Sequence, residues 1–165
     1  MYGSPVIGAP GSVVATNTGN AASNELIDFD IATSSIRWHV PGPFRGNPAY
    51  QAGVFYALTG SPKCSPSLVP VALEARSEAD GSLLWTWAAP ASDVIQSQSD
   101  VLLTNSLVFV STDSATYAID LTTHQVAWTL DYPGRLAISD RGVLYFSLTD
   151  PLIPQNGWVA AINFK

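Results

Sequence analysis

One segment recurs along this sequence at a nearly constant spacing, and it constrains the fold more than any other feature. Residues 116–130 contain a strand-like run that ends at Asp120, a polar turn, and a second run that carries Trp128. The first run is predicted to alternate outward and inward side chains with the period of a strand. The acid at its end can accept hydrogen bonds from the backbone N–H groups that follow it. The same arrangement surrounds Asp30 and Trp38, so the segment is predicted to be a recurring β-hairpin.

Two further copies extend the pattern along the whole chain. Ser77 and Trp85 keep the spacing between the turn-opening residue and the tryptophan, and Gly81 lies between them. Asn163 opens a fourth copy, in which no tryptophan follows. The four turn-opening residues are separated by intervals of 47, 43 and 43 residues. That period matches one blade of a β-propeller.

The predicted fold class is therefore all-β: a β-propeller arc of about four blades, each a four-stranded antiparallel sheet, with the last blade incomplete. We expect residues 1–165 to form a single propeller segment. The predicted blades span residues 4–40, 47–88, 93–130 and 134–165, and a predicted linker over residues 41–46 separates the first two. In the second blade, residues 68–75 are expected to form one strand.

The composition suits a globular β-protein and excludes some classes of binding partner. Hydrophobic residues make up 47% of the chain and charged residues only 12%, which suits a packed β-protein. The net charge of −6 argues against nucleic acid or an anionic membrane as partner, because both require a basic surface. No apolar run is long enough for a transmembrane segment. A single cysteine excludes an internal disulfide. Scarce lysine and loops rich in Ser, Thr and Pro favour an extracytoplasmic location, periplasmic or secreted, although no signal peptide is recognisable in this chain.

Two predicted surface loops interrupt the repeat, at residues 59–67 and 149–157. Loops of this kind often carry binding residues, so Lys63 and Cys64 in the first loop are candidate partner contacts. Trp158 follows the second loop directly. Core packing and contact with a partner are both open for this tryptophan, because exposed aromatic residues are common anchors of protein interfaces.

The repeat resembles that of the quinoprotein-dehydrogenase-like, or PQQ-like, β-propellers, whose pattern is Ala-x-Asp-x-x-Thr-Gly-x-x-x-Trp. The resemblance covers essentially the whole chain. It implies that each tryptophan docks against the neighbouring blade, between the small alanine of the motif and adjacent backbone. The residues to which it assigns this structural docking role are Trp38, Trp85, Trp128, Asp30, Asp120, Ala75, Ala118 and Gly81. From the burial of one indole we expect Trp128→Ala to cost about 3–5 kcal/mol.

Catalytic members of the resembled family hold a quinone cofactor and a calcium ion on the propeller axis, and this implies Glu, Asn and Asp ligands and often adjacent cysteines. Cys64 has no neighbouring cysteine, and the glutamates lie near predicted hairpins. We therefore assign no catalytic residue, no cofactor and no metal. Asp28 and Asp30 could ligate a metal together, but the favoured interpretation has Asp30 capping the turn and Asp28 facing solvent. His124 occupies the glycine position of the motif and is expected to adopt a left-handed conformation.

Two functions of different class are consistent with these features. The favoured hypothesis is a non-catalytic β-propeller scaffold or protein–protein interaction module that forms part of a larger propeller or assembly. Its end faces and inserted loops would contact a protein partner, or a second copy that completes the propeller, because an open arc exposes apolar surface and a free sheet edge. The alternative is a fragment of a PQQ- and calcium-dependent alcohol dehydrogenase whose active site lies elsewhere.

Overall fold

The computed structural model describes residues 4–17, 24–62, 65, 68–95, 100–149 and 157–163, and these residues contain strands and connecting loops but no helix. No segment of them forms a helix that could span a membrane. Within the described residues, fifteen strands form four antiparallel sheets, and in each sheet the strands pair in chain order. The sheets form an open arc of blades. The predicted all-β fold, with an incomplete last blade, is confirmed.

Each sheet is one blade, and its first strand lies at the inner side of the arc. Blade 1 contains β1 (Val6–Ile7), β2 (Ser12–Asn17), β3 (Glu25–Asp30) and β4 (Ser35–Pro41). Blade 2 contains β5 (Phe44–Gln51), β6 (Val54–Thr59), β7 (Ala72–Ser77) and β8 (Leu83–Ala88). Blade 3 contains β9 (Val101–Leu103), β10 (Leu107–Ser111), β11 (Thr116–Asp120) and β12 (Val126–Leu130). Blade 4 contains β13 (Arg135–Ile138), β14 (Val143–Thr149) and β15 (Gly157–Asn163).

Blade 2 differs from its predicted boundaries. The predicted linker over residues 41–46 is wrong, because β4 extends to Pro41 and β5 already begins at Phe44. The Phe44 side chain is 1% exposed and belongs to the core between blades 1 and 2, which explains why the chain enters the sheet so early. The third strand begins at Ala72 rather than at residue 68.

Three hydrophobic clusters hold the arc together, and each lies between two successive blades. Between blades 2 and 3, for example, Leu73 and Ala75 of β7 pack with Val108 and Ile119 of blade 3. The middle strands of blades 2 and 3 are therefore covered on both faces. The predicted in–out alternation of the third strand is wrong for β11, in which the residues from Thr116 to Ile119 are all buried. Alternation requires one face in water, and here both faces contact a neighbouring blade.

The hairpin between the third and fourth strands has the same irregular geometry in all three complete blades. A register shift follows Asp28, Ala75 and Ala118, which occupy one position of the repeat. The fourth residue after each turn-opening residue has positive φ, and these residues are Ser34 at 55°, Gly81 at 72° and His124 at 58°. The left-handed conformation predicted for His124 is confirmed. Because each hairpin has the same β-bulge and the same left-handed turn, its tryptophan pairs with the equivalent residue of the third strand in every complete blade.

Candidate functional site: blade interfaces and open ends

Each blade has two faces, which we name by the blade they contact. The forward face contacts the following blade and the rear face contacts the preceding one. The repeat tryptophans lie on the fourth strand, on the forward face, and their cross-strand partners are Asp28, Ala75 and Ala118.

Trp38 of blade 1 contacts blade 2 through a hydrogen bond and through ring packing. Its Nε1 donates a hydrogen bond to the Glu78 carbonyl oxygen of blade 2 at 2.8 Å. Its ring lies edge-on to Phe55, with ring centroids 6.2 Å apart. A Cβ built on Gly81 would come within 2.8 Å of the indole, so Trp38 packs directly on the glycine backbone of the next blade. These contacts bury the side chain to 8% exposure.

Trp85 reaches the corresponding turn of blade 3. Its ring stacks on His124 with a centroid distance of 4.3 Å and an interplanar angle of 15°. Tyr56 of the same blade meets it edge-on at 5.9 Å. Trp38 packs on the backbone of Gly81 in blade 2, whereas Trp85 packs on the imidazole ring of His124 in blade 3. The Trp85 side chain is half-buried.

Trp128 lies against its own blade and the core of blade 4. Its ring is 5.7 Å from that of Phe109, and it packs on the cluster that contains Leu136 and Phe146. It too is half-buried. The turn of blade 4 that corresponds to Gly81 and His124 would follow Asn163 and lies outside the described residues.

Glu78 is an interface residue that the repeat did not reveal. Its carboxylate accepts hydrogen bonds from the Ala9 backbone N–H at 2.6 Å and the Tyr50 hydroxyl at 2.8 Å. Hydrogen bonding to this carboxylate raises the pKa of Tyr50. A Cβ on Gly8 would meet Glu78 Oε1, so a larger residue at position 8 would require the Glu78 side chain to shift. No sequence periodicity marks Glu78, because its partners are far away along the chain.

A buried carboxylate lies in the connection after blade 2. The Asp93 carboxylate is 3% exposed and accepts hydrogen bonds from the Thr112 and Tyr117 hydroxyls, each at 2.7 Å. The pKa of Tyr117 is raised, mainly because the side chain is buried and secondly because its hydroxyl is hydrogen-bonded to Asp93. This contact fixes the connection between blades 2 and 3 onto the third strand of blade 3.

The turn-opening acids cap their turns as predicted. Asp30 Oδ1 accepts a hydrogen bond from Thr33 N at 2.9 Å, and Asp120 Oδ1 accepts one from Thr123 N at 2.7 Å. The Thr33 N–H, together with the Arg37 guanidinium, lowers the pKa of Asp30 to about 2. The backbone N–H groups of the turn likewise lower the pKa of Asp120.

The prediction that Asp28 faces solvent is wrong. Asp28 is 0% exposed and accepts a hydrogen bond from Ser12 Oγ at 2.8 Å. Its other oxygen, Oδ2, has no hydrogen-bond partner, and Arg37 Nη1 lies 3.9 Å away. Asp28 occupies the alanine position of the motif, beneath Trp38, and blade 2 covers it. Within the described residues, no group of three or more His, Cys, Asp or Glu side chains could hold a metal ion.

An apolar cavity of about 480 Å³ opens between blades 3 and 4. Its lining includes Trp158, which is 39% exposed and meets Tyr132 edge-on at 5.6 Å. Between blades 2 and 3, the equivalent space is filled by Trp87 and Tyr117, whose ring centroids are 5.0 Å apart. The smaller residues Leu130 and Ala160 occupy those positions here. Lys63 and Cys64, the other candidate partner contacts, lie outside the described residues.

Both ends of the arc present an apolar sheet face. On the rear face of blade 1, Ile7 is 72% exposed, Phe29 39% and Ile36 57%. On the forward face of blade 4, Tyr145 is 40% exposed and Val159 71%. Faces of this kind are buried wherever two blades of this chain meet.

Comparisons with known proteins bear on this architecture. The sequence matches no protein-family model, and no curated protein matches it. Solved structures do match. BamB from Moraxella catarrhalis superposes with a TM-score of 0.66 over 98% of this chain and 49% of its own, at 18% identity. Quinohemoprotein alcohol dehydrogenase from Comamonas testosteroni superposes with a TM-score of 0.70 over 98% of this chain and 33% of its own, at 12% identity. A protein of unknown function from Bacteroides caccae superposes with a TM-score of 0.64 over 98% of this chain and 63% of its own, at 9% identity.

The chain has the fold of a PQQ-like β-propeller. It spans a third to a half of the length of the BamB and dehydrogenase structures it matches. At these identities the likeness concerns the fold.

At the hub of the arc, polar residues lie on or beside the first strands of blades 2 to 4, and they include Asn47, Asp100 and Arg135. Asn47 Nδ2 donates to Asp100 Oδ1 at 2.7 Å, and the two residues form a parallel bridge. Burial raises the pKa of Asp100, and the nearby charge of Arg135 opposes that shift. A calcium ion takes six to eight oxygen ligands, several of them carboxylates. The described hub offers one carboxylate, already paired with an amide and facing a guanidinium, so these residues do not fit the quinone–calcium centre of the catalytic members.

Proposed function

We propose that this chain is a non-catalytic propeller segment that acts as a scaffold or protein-interaction module, with its two end faces as the association surfaces. The observation that carries this proposal is the pair of exposed apolar faces at the ends of the arc. Contiguous apolar surface of this kind usually marks a protein interface. The three internal interfaces of the chain, built from equivalent positions, support the same role for the end faces.

The association role is tested with a charge on each end face. The variants are Val159→Asp on the forward face of blade 4 and Ile27→Asp on the rear face of blade 1. Ile27 is half-buried on β3, two residues before Phe29 and on the same face of the strand. We expect the wild-type chain either to associate in light scattering or to bind the dye ANS at its open faces, and each variant to reduce that signal while circular dichroism stays unchanged. If neither substitution changes association or dye binding, the proposal is wrong.

The non-catalytic role is tested by adding pyrroloquinoline quinone and calcium to the full chain. We expect no absorbance change attributable to bound quinone and no dye-linked alcohol oxidation. Turnover that disappears in Asp100→Asn would contradict the proposal and favour the dehydrogenase-fragment alternative.

A further inference from the structure

We infer that two copies of this chain associate head to tail, with the forward face of blade 4 in one copy against the rear face of blade 1 in the other, and close into an eight-bladed ring. The inference rests on the proposed function, because it uses the same two end faces. It adds the identity of the partner, the geometry of the contact and the number of copies.

The forward face of blade 4 repeats the residues that blades 2 and 3 use to contact the blade after them. Tyr145 pairs with Ala161 across the sheet, as Phe109 pairs with Ala118 in blade 3. Phe109 and Ala118 are both 0% exposed under blade 4. Tyr145 and Ala161 are exposed, although they occupy the same positions. The three described strands of blade 4 therefore present the same part of the forward face that is buried elsewhere in the chain, without the fourth strand and its tryptophan.

The rear face of blade 1 shows the complementary relation. Val13 pairs with Phe29 across the sheet, as Val108 pairs with Ile119 in blade 3. Val108 and Ile119 are 0% exposed in the cluster between blades 2 and 3. In blade 1 the equivalent Phe29 is 39% exposed. This rear face lacks only a forward face to cover it.

These two faces differ from each other, so the contact between copies is heterologous rather than self-complementary. A heterologous contact forms a closed ring when its rotation closes, and an open filament when it does not. Propellers typically contain four to eight blades. One copy supplies four sheets as an open arc, so two copies give eight blades, whereas three would give twelve.

The test measures the mass of the full chain by analytical ultracentrifugation across a range of concentrations. We expect the wild-type protein to sediment with twice the 17.5 kDa mass of one chain. Val159→Asp and Ile27→Asp are each expected to lose the two-copy species. Val126→Asp is the matched control, because Val126 is 40% exposed on the outer strand of blade 3 and belongs to neither end face, and it should keep the wild-type mass.

Mixing the two end-face variants decides the geometry. The Ile27→Asp copy keeps an intact forward face and the Val159→Asp copy keeps an intact rear face, so a one-to-one mixture should recover a dimer through a single contact. That mixed dimer should dissociate at a higher concentration than the wild-type ring, because the ring has two such contacts and the second forms intramolecularly. If Ile27→Asp does not fold, Ile7→Asp replaces it, since Ile7 is 72% exposed on the same face.

A wild-type chain that is monomeric at all concentrations overturns the inference, and so does a mixture that stays monomeric. Species that grow steadily with concentration and are abolished by both end-face variants would show open filaments. That outcome overturns the two-copy ring while leaving the end faces as association surfaces, so the failure of this inference is distinct from the failure of the proposed function.

Discussion

At the scale of single residues, the left-handed residue of the hairpin turn in blades 2 and 3 also forms the surface on which the tryptophan of the preceding blade packs. In blade 2 this position is Gly81, and the missing side chain is what allows Trp38 of blade 1 to lie on the backbone. Blade 3 has His124 there, and its ring provides a stacking surface for Trp85 instead. The same left-handed backbone conformation thus supports two tryptophan contacts, one with a glycine backbone and one with a histidine ring.

Gly81→Ala should be markedly more destabilising than Gly53→Ala. Both glycines have positive φ, at 72° and 82°, so both substitutions place alanine in the left-handed region. That strain costs about 1–2 kcal/mol. Only at position 81 does the new methyl group also meet the indole, 2.8 Å away, whereas nothing lies within 4 Å at position 53. Overpacking adds about 1–3 kcal/mol, measurable by urea unfolding. Equal destabilisation of the two variants would contradict the contact.

The tryptophans should differ in their contribution to stability. Trp38→Ala is expected to cost about 3–5 kcal/mol, because the ring is almost fully buried and its Nε1 is hydrogen-bonded across the interface. Trp128→Ala is expected to cost less than Trp38→Ala, since Trp128 is half-buried. Denaturant unfolding of both variants measures the difference. A larger effect at Trp128 would mean that contacts outside the described residues cover it.

Asp30 should titrate near pH 2 in the folded protein. Its pKa is lowered from 3.8 to about 2, first by the Thr33 N–H and then by Arg37. A lowered folded pKa contributes stability above the unfolded value, and that stability is lost as pH falls from about 4 towards 2. NMR titration of the carboxyl carbon measures the folded pKa directly. In Arg37→Gln it should rise only part of the way to 3.8, because the Thr33 hydrogen bond remains. Full recovery would contradict the order of the two causes.

At the scale of strands and hairpins, much of the structure is local. The turn-opening residues and the tryptophans lie in consecutive stretches of sequence, and their spacing predicted the hairpins and the left-handed His124. The alternation of β3 predicts that Asp28 faces solvent, whereas its place at the alanine position of the motif indicates that it lies beneath the tryptophan. Glu78 and Asp93 could not be recognised, because their partners lie far along the chain and follow no period.

Strand position within the arc should determine backbone protection. The middle strands of blades 2 and 3, such as β7 and β11, are covered on both faces and hydrogen-bonded on both edges. Their amides should exchange slowest, because exposing them requires opening two interfaces. β1 has two residues and lies at a sheet edge, so it should exchange fastest. Native-state hydrogen exchange checks the order, and slow exchange in β1 with fast exchange in β11 would contradict it.

At the scale of the whole molecule, the open arc links stability to association. Because a partner that binds only the folded chain stabilises it by mass action, the wild-type melting temperature should rise with protein concentration. Val159→Asp should melt at the same temperature at every concentration, since its forward face cannot associate. Scanning calorimetry at two concentrations distinguishes the cases. An equal concentration dependence in both proteins would place the association surface elsewhere.

The sequence by itself determined the all-β class, the blade period, the turn chemistry and the unfinished last blade, because each follows from residues close together in the chain. Only the tertiary structure decided that the middle strands of blades 2 and 3 are buried on both faces, that Asp28 is covered, that Asn47 and Asp100 meet at the hub, and that a cavity separates blades 3 and 4. These features depend on which blade packs against which face. The contacts between blades join residues about one repeat apart in the sequence, and no local sequence pattern encodes their pairing.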